Sequence, residues 1–261
     1  MFKLLDYMEY SSDANAQAAY VNVPKIFQVD TNGTLTTNLI SYYKLEDEKD
    51  SFASNDFVNN GSVPFSTGKV NNAASFSSGK YFNKSASSAF AFGTGAFSFF
   101  FWFKTTVDDT FQCIWDSRQG SETLDGIFIA IDINRKMVVS GNGVVIQGTT
   151  SVVKDTWNYA YVIGNGGANG SRTIKLYLNG TQEGSTLTVD YDMSSSKIVY
   201  MGVNYPSGTL IFYGQLDEFG IWNKIISSQE ISDLYNGGSG QTMVLPGGAV
   251  APLMKIFLWW L

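Results

Sequence analysis

From Leu39 to Gly238 the apolar residues come in short runs rich in Phe, Tyr, Val and Ile, separated by Gly, Asn and Ser clusters. That punctuation is the pattern of antiparallel strands joined by tight turns, and it predicts an all-β sandwich. In "RTIKLYL", Ile174, Leu176 and Leu178 share one face while Lys175 and Tyr177 share the other. In "AFSFFFWFK", Phe97, Phe99, Phe101 and Phe103 lie on one face, with Ser98, Phe100, Trp102 and Lys104 opposite. Both faces are apolar in the middle, so this strand is expected to be central and covered on both sides. Asn179-Gly180 in "IKLYLNGTQEG" is the preferred type I′ hairpin pair, and Gly141, Asn142 and Gly143 in "KMVVSGNGVVIQG" mark a second turn.

The stretch "GQLDEFGIWNKIISSQEISDLYNGG" changes period. Strict alternation through its first part puts Leu216, Glu218 and Gly220 on one face, and Gln215, Asp217, Phe219 and Ile221 on the other. One carboxylate is therefore expected on an apolar side, where an ionised group is costly unless paired, capped or bound to a cation. Ser227 then stands three residues before Glu230 as a capping box, with Ile226 and Ile231 as a hydrophobic staple. Ile231, Leu234 and Tyr235 form one apolar helix face, and Gly237-Gly238 stop the helix. The sheet is expected to close with one short helix.

Composition narrows the chemistry. The 261 residues are 44% hydrophobic, enough for a sizeable core. Only 15% are charged, with Gly, Ser, Thr and Asn in their place. The net charge is -6 without a basic run, so nucleic acid is not an expected partner. The acidic balance is compatible with cation binding or with plain solubility. The chain has no histidine, which excludes Ser-His-Asp and Cys-His catalysis and any His-ligated metal. The single cysteine, Cys113, excludes an internal disulfide and reads as a buried thiol in the apolar run "TFQCIWD".

The ends differ from the middle. Asp6 and Glu9 interrupt the first apolar run, so no standard signal peptide is predicted. Pro246, Pro252 and Lys255 split the apolar end, and the remainder, Ile256 to Leu261, is too short to span a bilayer. The division that follows is residues 1–35 as a leader or assembly segment, 36–240 as the sandwich, and 241–261 as an apolar docking tail.

The closing stretch quoted above resembles the signature of laminin-G-like, concanavalin A-like lectin/glucanase-fold domains. In these a strand reading G-x-[IL]-D-[ED]-[VF]-x-[IV]-[WY] precedes a helix of the form S-x-x-E-[IL]-x-x-L-Y. The segments "YYKLEDEKDSFASNDFVNNGSV", "GKVNNAASFSSGKYF", "FSFFFWFKTT" and "WNYAYVIGNGGANGSRTIKLYLNGTQEG" match other parts in order, over about residues 40 to 240. The resemblance implies a jelly-roll sandwich of two antiparallel sheets, roughly a dozen strands in all, with ligand loops along the rim of one concave sheet.

It also implies candidate sites. In many relatives a structural calcium ion (Ca2+) joins the opening segment to the closing strand. By position the ligands would be Asp50, Asn55 and Asp217, with Asp56 a substitute for Asn55. The segment "DSFASNDFVNNG" departs from the usual D-S-S-G-N-x-N form because it lacks the tight glycine. The alternative is that Asp217 caps backbone N–H groups without a metal. Tyr205 in "NYPSG" is the candidate ligand-binding residue, since sugar CH faces stack on exposed aromatic rings; Trp115 in "IWDSRQG" reads as core. Glycosidases of this class carry E-x-D-x-E or E-x-D-x-x-E on one strand. No such run occurs, and "LEDEKD" lies in the opening loop, so a non-catalytic protein is expected.

Two classes stay open. One is a binding module for a glycan or cell-surface polymer. The other is a structural or assembly component of a virion or surface fibre, contacting other assembly proteins or itself through its termini. Either places the chain outside the cell, on a surface or on a virion.

Overall fold

The computed structural model describes residue 30 and residues 33–118, 126–141, 144–189, 191–194, 196–205 and 207–245. The leader up to residue 29, the Asn142-Gly143 turn and the tail from residue 246 lie outside the described residues, as do the expectations placed on them.

Among the described residues fifteen strands pair into two antiparallel sheets. In chain order they are β1 (Leu39–Tyr43), β2 (Val58–Asn60), β3 (Phe65–Thr67), β4 (Asn72–Phe76), β5 (Tyr81–Ser87), β6 (Phe97–Thr105), β7 (Gln112–Asp116) and β8 (Ile127–Ile131). Then come β9 (Lys136–Gly141), β10 (Val144–Ser151), β11 (Asn158–Gly164), β12 (Thr173–Leu178), β13 (Thr181–Thr188), β14 (Lys197–Met201) and β15 (Gly214–Trp222). The eight-stranded sheet runs β13-β12-β11-β6-β15-β4-β3 with β1 also on β15; the seven-stranded sheet runs β10-β9-β8-β7-β14-β5-β2.

The side-chain alternation read from the sequence explains the layers. Phe97, Phe99, Phe101 and Phe103 of β6 and Ile174, Leu176 and Leu178 of β12 enter the core between the sheets. They meet Ile127, Ile129 and Ile131 of β8 and Val199 and Met201 of β14. Phe100 and Trp102 face the other way, under the helix and the segments flanking the sheets. β6 lies between β11 and β15 and is covered on both faces, as its composition requires. Asn179 and Gly180, at φ of 49° and 85°, make the left-handed turn that joins β12 to β13. Trp115 and Cys113 are fully buried.

Helix α1 (Ser228–Tyr235) begins with the capping box: Glu230 N donates to Ser227 Oγ, and Ser227 N donates to the Glu230 carboxylate. It ends at Asn236, held in the left-handed region at φ 46°. Packing continues past residue 240: Met243 is buried, and its N–H donates to the Tyr42 hydroxyl at 3.0 Å. On the other flank, Leu35 is buried and its carbonyl accepts from Trp222 Nε1 at 2.7 Å.

At one end of the sandwich β10 and β13, from different sheets, approach each other. Glu183 of β13 is buried there, and its Oε2 accepts from the N–H groups of Thr149 and Thr150 at 2.6 and 2.7 Å. A charged acceptor on two backbone donors stitches the sheets where no ladder does.

Candidate functional site

The Asp217-Glu218 pair stands where β15 changes partners. Residues 214–216 pair with β4, residues 219–222 with β1, and the register on β6 slips between Asp217 and Gly220. Glu218 takes a φ of 50° at this bulge. The extra residue corrects the alternation expected from the sequence. Leu216, Phe219 and Ile221 all face the core between the sheets, and Asp217 does not share their side. Both carboxylates face outward beneath flanking segments, yet both are buried.

Each acid is met by donors. Asp217 Oδ2 accepts from Lys69 N at 2.7 Å and Val70 N at 2.9 Å, in the turn between β3 and β4. Its Oδ1 is buried without a partner. Burial pushes the Asp217 carboxyl up to about 7, against the pull of those backbone donors. Glu218 accepts from the Tyr42 hydroxyl and from Thr242 Oγ1, the latter at 2.8 Å. Burial again raises its pKa well above the ordinary carboxylate value, and the Asp217 charge adds to the rise.

Asp50 and Asn55 stand elsewhere. Asp50 Oδ1 accepts from the N–H groups of Tyr42, Phe52 and Ala53, and Oδ2 from Asn55 N. Asn55 donates its amide to Ser41 Oγ and accepts the Tyr43 hydroxyl at its carbonyl. Asp56 is bonded to Asp50 N and Lys49 Nζ. A calcium ion needs several oxygens aimed at one point. Here Asp50 takes N–H donors from Phe52, Ala53 and Asn55 in its own loop and from Tyr42 of β1, and Asp217 is pinned to a different loop. Among the described residues no group of three or more Asp, Glu, His or Cys could hold a metal ion. As placed, Asp50, Asn55 and Asp217 do not fit a common calcium shell.

Tyr205 has different neighbours. It is half-buried and lies 5.2 Å, ring to ring, from Tyr200 of β14. Tyr200 in turn lies 6.0 Å from Tyr81 of β5. Tyr200 alternates with the core residues Val199 and Met201, and Tyr81 precedes the core residue Phe82, so both project from the outer face of the seven-stranded sheet. The Tyr205 loop is built on Asn204, whose Oδ1 accepts from the N–H groups of Thr209 and Leu210 and whose Nδ2 donates to Ser207 Oγ. Tyr205 N donates to the buried carboxylate of Asp116, which also takes a bidentate bond from Arg118. Burial, and then the neighbouring Tyr81 and Tyr205, raise the Tyr200 phenol. It therefore remains a hydroxyl donor at neutral pH.

A cleft of about 150 Å³ opens beside this row, lined by Lys80, Tyr81, Tyr200, Asn204 and the backbone at Gly79 and Gly208. Two larger clefts have other linings. One of about 290 Å³ on the same outer face has Phe111, Phe128, Val138 and Val145 as its apolar lining, and its Arg118 is already committed to Asp116. One of about 480 Å³ on the eight-stranded sheet is lined by short polar side chains and Lys104. The smallest of the three joins tyrosine rings, each with its own hydroxyl, to a lysine, a combination that can fix a ligand's orientation. Tyr81, Tyr200 and Lys80 were not legible as site residues, because only the pairing of β5 with β14 brings them to Tyr205.

A family model described as the concanavalin A-like lectin/glucanases superfamily, Laminin_G_3, matches residues 76–232. The chain belongs to that family. Solved structures share the fold at low identity. Domain 4 of AbnA, a GH43 extracellular arabinanase from Geobacillus stearothermophilus, in complex with arabinotriose, is 19% identical at a TM-score of 0.57. The match covers 75% of this chain and 97% of that one. The binding domain of botulinum neurotoxin serotype G is 16% identical at 0.57, and that of botulinum neurotoxin DC in complex with SialylT is 16% identical at 0.57. Each of these two matches covers 77% of this chain. The chain spans about half the length of those toxin domains, 51% and 52% respectively. A search of curated proteins found no match. No helix among the described residues is long and apolar enough to cross a membrane.

Proposed function

We propose that this chain is a non-catalytic saccharide-binding module, and that it binds through the outer face of the seven-stranded sheet. The row Tyr81–Tyr200–Tyr205 carries the proposal: three half-buried rings on one face, beside a cleft with amide and hydroxyl groups. Rings of this kind stack on the CH faces of sugars, while the phenol groups hydrogen-bond hydroxyls. The similar arabinanase domain and neurotoxin binding domain, whose structures hold arabinotriose and SialylT, support the reading at the level of fold. The chain has no E-x-D-x-E run that would support glycoside hydrolysis. Placement on a secreted, cell-surface or virion protein belongs to the same proposal and rests on the charge-poor, Gly/Ser/Thr/Asn-rich composition.

The test is calorimetric titration of the full chain with a panel of oligosaccharides. Tyr200→Ala should weaken any binding at least tenfold. Tyr177→Ala is the control, because Tyr177 is half-buried on the eight-stranded sheet and its ring stacks on Tyr161 at 4.3 Å. Binding lost in the control and kept in Tyr200→Ala would move the site to the other sheet. An assembly component without a ligand of its own would bind no saccharide at all.

A further inference from the structure

Charge at the tyrosine cleft is one-sided. Lys80 lines it, and no Asp or Glu does. Asp116, which holds the Tyr205 loop, is fully buried and occupied by Arg118 and by the Tyr205 N–H. The Lys80 ammonium has no ion pair, hydrogen bond or ring partner among the described residues, and it is half-exposed. Lys44 and Lys175 are likewise without a partner among the described residues, but neither lines this cleft. Lys49, Arg118, Arg135, Lys154 and Lys224 all sit on carboxylates. Lys69 and Lys104 lie over the rings of Trp102 and Trp157. What sets Lys80 apart is its place: among the described residues that line the cleft it is the one charged side chain.

The backbone under Lys80 is fixed. Lys80 N donates to the Ser77 carbonyl at 2.9 Å across a tight turn, with Gly79 in the left-handed region at φ 72°. The next residue is Tyr81, and Lys80, Tyr81 and Tyr200 line the same cleft. A Cβ at Gly79 or at Gly208 would meet nothing within 4 Å, which leaves the rim of the cleft open to solvent.

We infer that the saccharide this site takes is an acidic one, whose carboxylate or sulfate pairs with the Lys80 ammonium while a ring lies on Tyr200. The inference rests on the saccharide-binding reading and adds the ligand's charge. A neutral sugar would leave the cation unused. An anion gains a charge-assisted hydrogen bond there, stronger than a neutral one. Carboxylated sugars and sulfated sugars share this chemistry, and the experiment separates them.

The experiment titrates the full chain with matched pairs: lactose against 3′-sialyllactose for a carboxylate, and lactose against 3′-sulfolactose for a sulfate. Arabinotriose and trigalacturonate form a third neutral and acidic comparison. The expected result is that at least one acidic member binds tighter than its neutral counterpart by roughly tenfold or more, the scale of one hydrogen bond to a charged group. Lys80→Gln should remove that gap by weakening the acidic member more than its neutral counterpart. Raising the salt to 0.5 M should shrink the gap in the same direction, because a partly exposed pair is screened. Equal binding of acidic and neutral members, or a gap that survives Lys80→Gln, overturns the inference and leaves the saccharide-binding reading in place. Binding by no member, in a protein whose near-ultraviolet circular dichroism shows native packing, overturns both.

Discussion

Replacing Asp217 with alanine removes the acceptor that holds the β3–β4 turn against β15. Two backbone donors, Lys69 N and Val70 N, lose partners at 2.7 and 2.9 Å. A buried donor left unpaired costs about 1–3 kcal/mol. This turn is half-buried, so water recovers part of that cost, and a total of roughly 2–4 kcal/mol is expected. The cost depends on pH. Burial holds the folded-state Asp217 carboxyl at about 7, against roughly 3.9 in the unfolded chain. A raised acid contributes its full stability below the unfolded value and loses it as pH rises toward the folded one. Between pH 5 and pH 8 the wild type should lose on the order of 2 kcal/mol that Asp217→Ala does not lose. Glu218 acts in the same direction, since removing Asp217 also removes a like charge beside it. Urea denaturation of both proteins at pH 5 and pH 8 measures the difference. A variant as stable as wild type at pH 5, or a larger loss at pH 8 than at pH 5, would refute the reasoning.

Adding EDTA to the purified chain should leave its melting temperature unchanged, because Asp50 and Asp217 are occupied by backbone N–H groups; a fall of several degrees reversed by calcium would show that a metal shell forms after all. A fragment cut at residues 36–240 should melt lower than one spanning 30–245, since it loses Leu35, the acceptor of Trp222 Nε1, and also Thr242 and Met243, which close over Glu218 and Tyr42. Equal melting temperatures for the two fragments would mean that these flanking contacts contribute nothing measurable.

The layers of the sandwich were legible wherever alternation ran unbroken. Phe97 to Phe103 and Ile174 to Leu178 showed their core faces, and the Ser227/Glu230 capping box showed where the helix starts. Alternation failed at Asp217 because a bulge adds one residue, and the period of two then assigns every residue before it to the wrong side relative to those after it. Nothing in "GQLDEFGIW" marks the slip, as no glycine occupies the position with positive φ; Glu218 does. The opening loop is ambiguous for another reason. A carboxylate that collects N–H donors and one that binds a cation are the same residue in the same kind of loop. Only the placement of Tyr42 N, Phe52 N, Ala53 N and Asn55 N around Asp50 separates them. Tyr205 stood out beside its turn, but its partners did not. Tyr81 and Tyr200 are far apart in the chain and become neighbours through a strand pairing that local pattern does not specify.

The most direct test of saccharide binding at the tyrosine row is an NMR titration of the isotopically labelled full chain with the tightest-binding member of the panel. The account predicts that the shifted amide and aromatic signals cluster on β5 and β14 around Tyr81 and Tyr200 and in the Asn204–Tyr205 loop, with Lys80 among them. Shifts that cluster instead on β11 and β12, around Tyr161 and Tyr177, with the Tyr81 and Tyr200 signals unmoved at saturation, would contradict it.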